Sequence, residues 1–168
     1  ADGNVITDAN LVACRYSIPQ LFDALKTISK NNTQKIVIMT YIAKISSIGV
    51  QNFCEQLQLC KIKQVIIPDL PFDEAERLGI LNQFKNHDIQ MIPVISTNTD
   101  MDRLKMISEY QFPFWYIMAY QGTTGNQFKK TDTLKNYVYK LKELDSRATA
   151  IGFGIKNKED LAEVLTFS

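Results

Sequence analysis

Short apolar runs that close on polar or glycine residues recur along the chain. They are Lys35-Ile36-Val37-Ile38-Met39-Thr40-Tyr41, Gln64-Val65-Ile66-Ile67-Pro68-Asp69, Met91-Ile92-Pro93-Val94-Ile95-Ser96, Phe114-Trp115-Tyr116-Ile117-Met118-Ala119-Tyr120 and Ala148-Thr149-Ala150-Ile151-Gly152-Phe153-Gly154. Continuous runs of this length read as strands buried on both faces, the kind found in parallel sheets. They begin roughly 30 residues apart, about the size of one βα unit. The spacing predicts parallel strands over 35–40, 64–68, 91–95, 114–119 and 148–152, adjacent in that order.

Between the runs the periodicity changes to that of a helix. Ile18, Leu21, Phe22, Leu25 and Ile28 form one apolar stripe, opened by the capping box Ser17-Ile18-Pro19-Gln20. Ile6, Ala9, Asn10 and Ala13 suggest a short helix before it. Tyr41–Ile45 reads as an irregular link to a helix carrying Val50, Phe53, Cys54 and Leu57. Asp73, Glu74 and Glu76 suit a helix N-terminus, and Thr99-Asp100-Met101-Asp102 resembles another capping box before Leu104 and Ile107. Leu134, Tyr137, Val138, Leu141 and Leu144 mark a clear helix. Asn157 should cap a last one that buries Leu161, Val164 and Leu165.

Repeated β/α units with no linker or composition shift make residues 1–168 one domain or a piece of one. Two parallel folds fit the pattern about equally. A doubly wound sheet normally carries a Gly-rich turn after its first strand, whereas the first run here ends in Thr40-Tyr41. An eight-stranded (β/α)8 barrel normally takes ~250 residues, so this sequence would cover an interior portion of one. In either fold chemistry collects at the C-terminal ends of the strands. Gly122-Thr123-Thr124-Gly125, directly after the fourth run, falls there.

Composition narrows the chemistry. A net charge of +1 gives no electrostatic case for nucleic acid or an acidic membrane surface. No apolar run reaches the ~18 residues of a membrane span, and no secretory signal is visible, so a cytoplasmic protein is expected. His87, the only histidine, lies in a polar Lys-Asn-His-Asp turn, which argues against Ser/His and Cys/His mechanisms. Cys14, Cys54 and Cys60 lack metal-ligand spacing and read as reduced structural thiols.

Several motifs, in order, resemble the alpha subunit of tryptophan synthase. Ala1-Asp2-Gly3 resembles the end of that family's catalytic loop, and Ile38-Met39-Thr40-Tyr41 its third strand. Ile67-Pro68-Asp69-Leu70-Pro71 resembles the fourth-strand signature, Gly122-Thr123-Thr124-Gly125 the loop-six motif and Gly152-Phe153-Gly154-Ile155 the seventh-strand signature. The likeness implies a (β/α)8 TIM barrel covered from about strand three to strand seven, without strands one, two and eight.

The activity implied is lyase cleavage of indole-3-glycerol phosphate to indole and glyceraldehyde 3-phosphate, without cofactor or metal. It also implies docking to a beta subunit, as an alpha2beta2 assembly. Carried over by motif, Asp2 would contact the indole nitrogen and Thr124 would orient Asp2. Tyr116 would line the pocket near the glycerol chain, with Met39 and Ile66 as apolar walls. The backbone of Gly154 would help hold the phosphate, and Gly125 and Gly152 would also bind the substrate. Ala43, Pro71 and Glu74 would face the partner.

Departures accompany the likeness. Asn4 stands for a usual proline, Ala43-Lys44 for Asn-Pro, Tyr120 for arginine and Thr123 for valine. The family's acid–base glutamate lies upstream of the Ala-Asp-Gly motif, so this chain alone is expected to be inactive. Two other readings stay open: a non-catalytic partner that binds and activates a beta-type subunit, and a barrel with another sugar-phosphate substrate.

Overall fold

The structure, a computed structural model, describes residues 17–31, 34–118, 131–152, 155 and 157–167. The elements in chain order are α1 (Ile18–Asn31), β1 (Val37–Met39), α2 (Ile42–Ile48), α3 (Val50–Leu59), β2 (Gln64–Ile66), α4 (Phe72–Arg77), α5 (Ile80–Asn86), β3 (Gln90–Ile92), β4 (Val94–Ser96), α6 (Met101–Ser108), β5 (Phe114–Met118), α7 (Thr131–Leu144), β6 (Ala148–Gly152) and α8 (Lys158–Val164).

All strand pairings are parallel, and the strands follow one another in sequence order. Ile38, Val65 and Met91 stand abreast, as do Met39, Ile66 and Ile92. Farther along, Val94, Tyr116 and Ala150 form one row, and Ser96, Met118 and Gly152 another. A doubly wound sheet reverses its strand order at a switch point. The described strands contain no reversal, so they form part of a barrel wall.

The third predicted strand is divided. Pro93 has no N–H to give to a ladder, so β3 pairs with β2 on one side of it and β4 with β5 on the other. The Pro93 carbonyl still accepts from the Tyr116 amide at 3.1 Å, which ties the two halves of the wall together.

The alternate side chains of β5 explain the layering. Trp115 and Ile117 are fully enclosed with Leu104, Leu134 and Leu141 between sheet and helices, while Phe114, Tyr116 and Met118 are only partly covered on the opposite face. Among the described residues β1 is the outermost strand on one side. Exposed apolar residues occur on it and on the flanking segments: Met39 in β1, Tyr41 just after it, and Leu21 and Ile28 in α1. Leu21 and Met39 line a groove of about 660 Å³ with Leu25, Ile45 and Ile48.

Helix caps follow the sequence with local corrections. Ser17 and Gln20 form the reciprocal capping box, with the Ser17 amide donating to Gln20 Oε1 at 2.8 Å. The cap of α6 is Asp100, whose Oδ1 accepts from the Arg103 amide at 2.8 Å, because the Thr99 hydroxyl accepts from the Ser96 amide instead. Asn157 caps α8 through the Asp160 amide. Leu161 and Leu165 are exposed, contrary to the apolar pattern. The helix ends at Val164, and the turn that follows carries Phe167 into the core instead. The Lys142 ammonium donates to the Phe167 carbonyl and holds that turn. Tyr41–Ile45 is not an irregular link either, since α2 starts at Ile42.

Candidate active site

The C-terminal ends of β4, β5 and β6 bring together Ser96, Tyr116, Met118 and Gly152. Residues two apart on a strand share a face, so Tyr116 and Met118 point to one side, with Val94 and Ser96 beside them and Ala150 and Gly152 on the other flank. The Tyr116 ring leans toward the strand end and lies over Gly152. A Cβ built on Gly152 would be 2.5 Å from Tyr116 Cζ and 3.1 Å from Cε2, and closer still to the phenol oxygen. Glycine is required here by close approach of the ring; no unusual backbone angle is involved.

Burial pushes the Tyr116 phenol above its ordinary value. At neutral pH the group is therefore a neutral O–H, placed beside Gly152 at the end of β6. Ser96 is buried, and its Oγ accepts from the Asn98 amide at 3.4 Å, which shapes the turn after β4. The polar close of the run Val94-Ile95-Ser96 was the one sequence signal for it.

Met39 and Ile66 sit in one row but differ in exposure. Met39 is 43% exposed, whereas Ile66 is enclosed. Asp2, Thr124, Gly125 and Gly154 lie outside the described residues. Cys54 and Cys60 are both buried and unpaired by disulfide. Burial pushes the Cys54 thiol up to about 11, so it is protonated and inert as a nucleophile.

The Pro-Asp-Leu-Pro motif is accounted for residue by residue. Leu70 N–H donates to the Ile67 carbonyl at 3.1 Å, closing a β-turn with Pro68 at its second position, where a fixed φ is favoured. Leu70 is buried and anchors the turn. Pro71 is exposed and leads into α4 at φ −57° and ψ 145°. Asp69 points outward and accepts from the Ile42 amide at 3.0 Å. Sequence reasoning missed that contact, because Tyr41 has no capping side chain and the cap comes from 27 residues away.

Of the residues expected to face a partner, Ala43 and Pro71 are exposed and Glu74 is partly covered. Glu74 is also engaged within its own helix. Arg77 Nε donates to it at 2.7 Å, and that hydrogen bond holds the Glu74 carboxyl below the usual carboxylate range.

The family model described as tryptophan synthase alpha chain matches residues 1–168. A tryptophan synthase alpha chain from Petrotoga mobilis is 31% identical over 99% of this chain and 65% of its own length. One from Methanococcus voltae is 32% identical over 98% of this chain and 58% of its own length. Among solved structures, tryptophan synthase subunit alpha from Campylobacter jejuni aligns with a TM-score of 0.84 at 26% identity, covering 99% of this chain and 66% of that one. A subunit of the tryptophan synthase a2b2 complex from Pyrococcus furiosus aligns at 0.81 and 25% identity, covering 99% and 67%. The chain spans less than two thirds of the length of these sequence relatives. It belongs to the tryptophan synthase alpha chain family.

Proposed function

We propose that the protein containing this chain is a lyase that cleaves indole-3-glycerol phosphate to indole and glyceraldehyde 3-phosphate in the cytoplasm. The chain supplies the third to seventh strands of its barrel. The observation that carries this reading is the Tyr116 phenol laid over Gly152 at the ends of two neighbouring parallel strands, within a chain that matches the family model throughout.

In this reaction a proton is added at indole C3, the bond from C3 to the glycerol carbon breaks, and the hydroxyl on that carbon loses its proton to become the aldehyde. Asp2 stabilises the positive charge that develops at the indole nitrogen, an interaction strongest in a site that excludes water. Thr124 orients Asp2. The neutral Tyr116 phenol donates to the reacting glycerol chain. Met39 and Ile66 wall the indole ring, the backbone of Gly154 lets phosphate oxygens approach its N–H groups, and Gly125 and Gly152 border the substrate, Gly152 by making room for the Tyr116 ring. In the family that this chain resembles, a glutamate upstream of the Ala-Asp-Gly motif carries the proton; a glutamate at that position of the full-length protein supports catalysis, and an apolar residue there supports the binding role.

The Pyrococcus furiosus relative is described as an a2b2 complex with mutual activation. By that likeness the rim bearing Ala43, Pro71 and Glu74 docks a beta subunit. A full-length gene should restore growth without tryptophan to a host lacking its alpha subunit, and the Tyr116→Phe variant should restore it poorly. No growth, with the protein shown to bind a beta subunit, would favour the non-catalytic partner.

A further inference from the structure

The α2 helix begins where β1 ends, so its first turn sits on the C-terminal rim. The opening amides of a helix have no partner within it and need an acceptor. Tyr41, at the N-cap position, is extended (φ −94°, ψ 148°) and its side chain makes no capping hydrogen bond. Its carbonyl takes the amides of Lys44 and Ile45, and the Ile42 amide is left to Asp69 Oδ1 at 3.0 Å.

Asp69 is firmly mounted. It occupies the third position of the Ile67–Leu70 turn, with Pro68 fixing the residue before it and buried Leu70 holding the residue after it. Two residues on, Pro71 stands exposed at the start of α4. On the opposite side, Asp73 in the first turn of α4 pairs with Arg103 of α6 at 2.5 Å. Carboxylates in the turn before α4 and in its first turn thus reach the first turns of the two neighbouring helices, α2 and α6.

We infer that Asp69 is a positioning residue. By holding the Ile42 amide it fixes Ala43 and Lys44 relative to Pro71, so that two separate strand-to-helix connections present one docking face to the beta subunit. This rests on the reading of the partner given above. The fixed element is the hydrogen bond, so an asparagine, whose amide oxygen reaches the same N–H, should substitute for Asp69.

The test separates capping from positioning. Tyr41→Ser gives α2 a capping side chain of its own, since serine favours that backbone conformation. In a full-length protein carrying Tyr41→Ser, Asp69→Ala should melt close to its parent yet bind a purified beta subunit about tenfold more weakly, the scale of one lost hydrogen bond. Asp69→Asn in the same background should bind like the parent. Beta-stimulated indole release should fall with affinity, while the unstimulated rate stays near that of the parent. Asp69→Ser, polar but too short to reach Ile42, replaces the alanine variant should that one not fold. Parental affinity in Asp69→Ala, or a loss in Asp69→Asn equal to that in alanine, would overturn the inference alone. A wild-type protein that binds no beta subunit would overturn the partner reading and the inference with it.

Discussion

Gly152→Ala is the sharpest perturbation available at the candidate site. The added carbon would sit 2.5 Å from Tyr116 Cζ and 3.1 Å from Cε2. Carbon atoms pack at about 3.5–4.0 Å, so the ring must shift by roughly an ångström or more. The backbone of Gly152 is held in the ladder opposite Met118 and cannot easily yield. Tyr116 is only partly buried and can swing toward the uncovered face. The cost in stability should therefore be that of modest overpacking, about 1–3 kcal/mol. At about 2–4 °C per kcal/mol for a protein of this size class, the melting temperature should fall by several degrees. Activity should suffer more, because a misplacement of about 1 Å can cost on the order of 10²-fold in rate. Differential scanning calorimetry and an indole-release assay on the full-length protein measure the two effects. Adding Tyr116→Val removes the three atoms nearest the new carbon and should return the melting temperature toward wild type. Gly152→Ala with unchanged melting and unchanged rate would refute the placement of the ring, as would failure of Tyr116→Val to relieve the instability.

Other consequences follow from burial. Burial pushes the Tyr137 phenol up to about 12 from its ordinary value of 10.0. A raised folded-state value contributes stability that is present below the unfolded value and lost as pH climbs toward the folded one. Stability should thus decline between pH 10 and 12 by about 2–3 kcal/mol, and Tyr137→Phe should flatten that decline in alkaline denaturation. Cys54 and Cys60 are enclosed, with the Cys54 thiol at about 11, so both should resist alkylation at pH 8 until the protein unfolds, as read site by site by mass spectrometry. Arg103→Gln breaks a half-exposed ion pair and should change stability by no more than about 1 kcal/mol in thermal unfolding.

The elements most legible in the sequence were those set by local repetition. Apolar runs such as Phe114–Met118 mark strands because parallel strands bury both faces, and Ser17 with Gln20 is a cap whose partners lie three residues apart. What escaped depended on distance or on chain ends. Nothing near Tyr41 announces that a helix starts at Ile42, because its cap is Asp69. Pro93 is visible in the sequence, yet its effect, a ladder that changes partner at that residue, depends on both neighbouring strands. Leu161 and Leu165 have the right spacing for a buried stripe, but Phe167 fills the core site. At the candidate site, motif likeness brought out Tyr116 and Gly152 separately. That one leaves no room for a side chain on the other is a fact of cross-strand register.

The central claim is that Tyr116, seated on Gly152 at the mouth of a parallel barrel, serves the cleavage of indole-3-glycerol phosphate. Indole release by the full-length protein, measured for wild type and Tyr116→Phe side by side, tests it most directly. The account predicts measurable release by wild type and a rate at least about tenfold lower in Tyr116→Phe, with melting temperatures that nearly coincide. Wild-type release left unchanged by Tyr116→Phe, or no release by a folded wild-type protein, would contradict it.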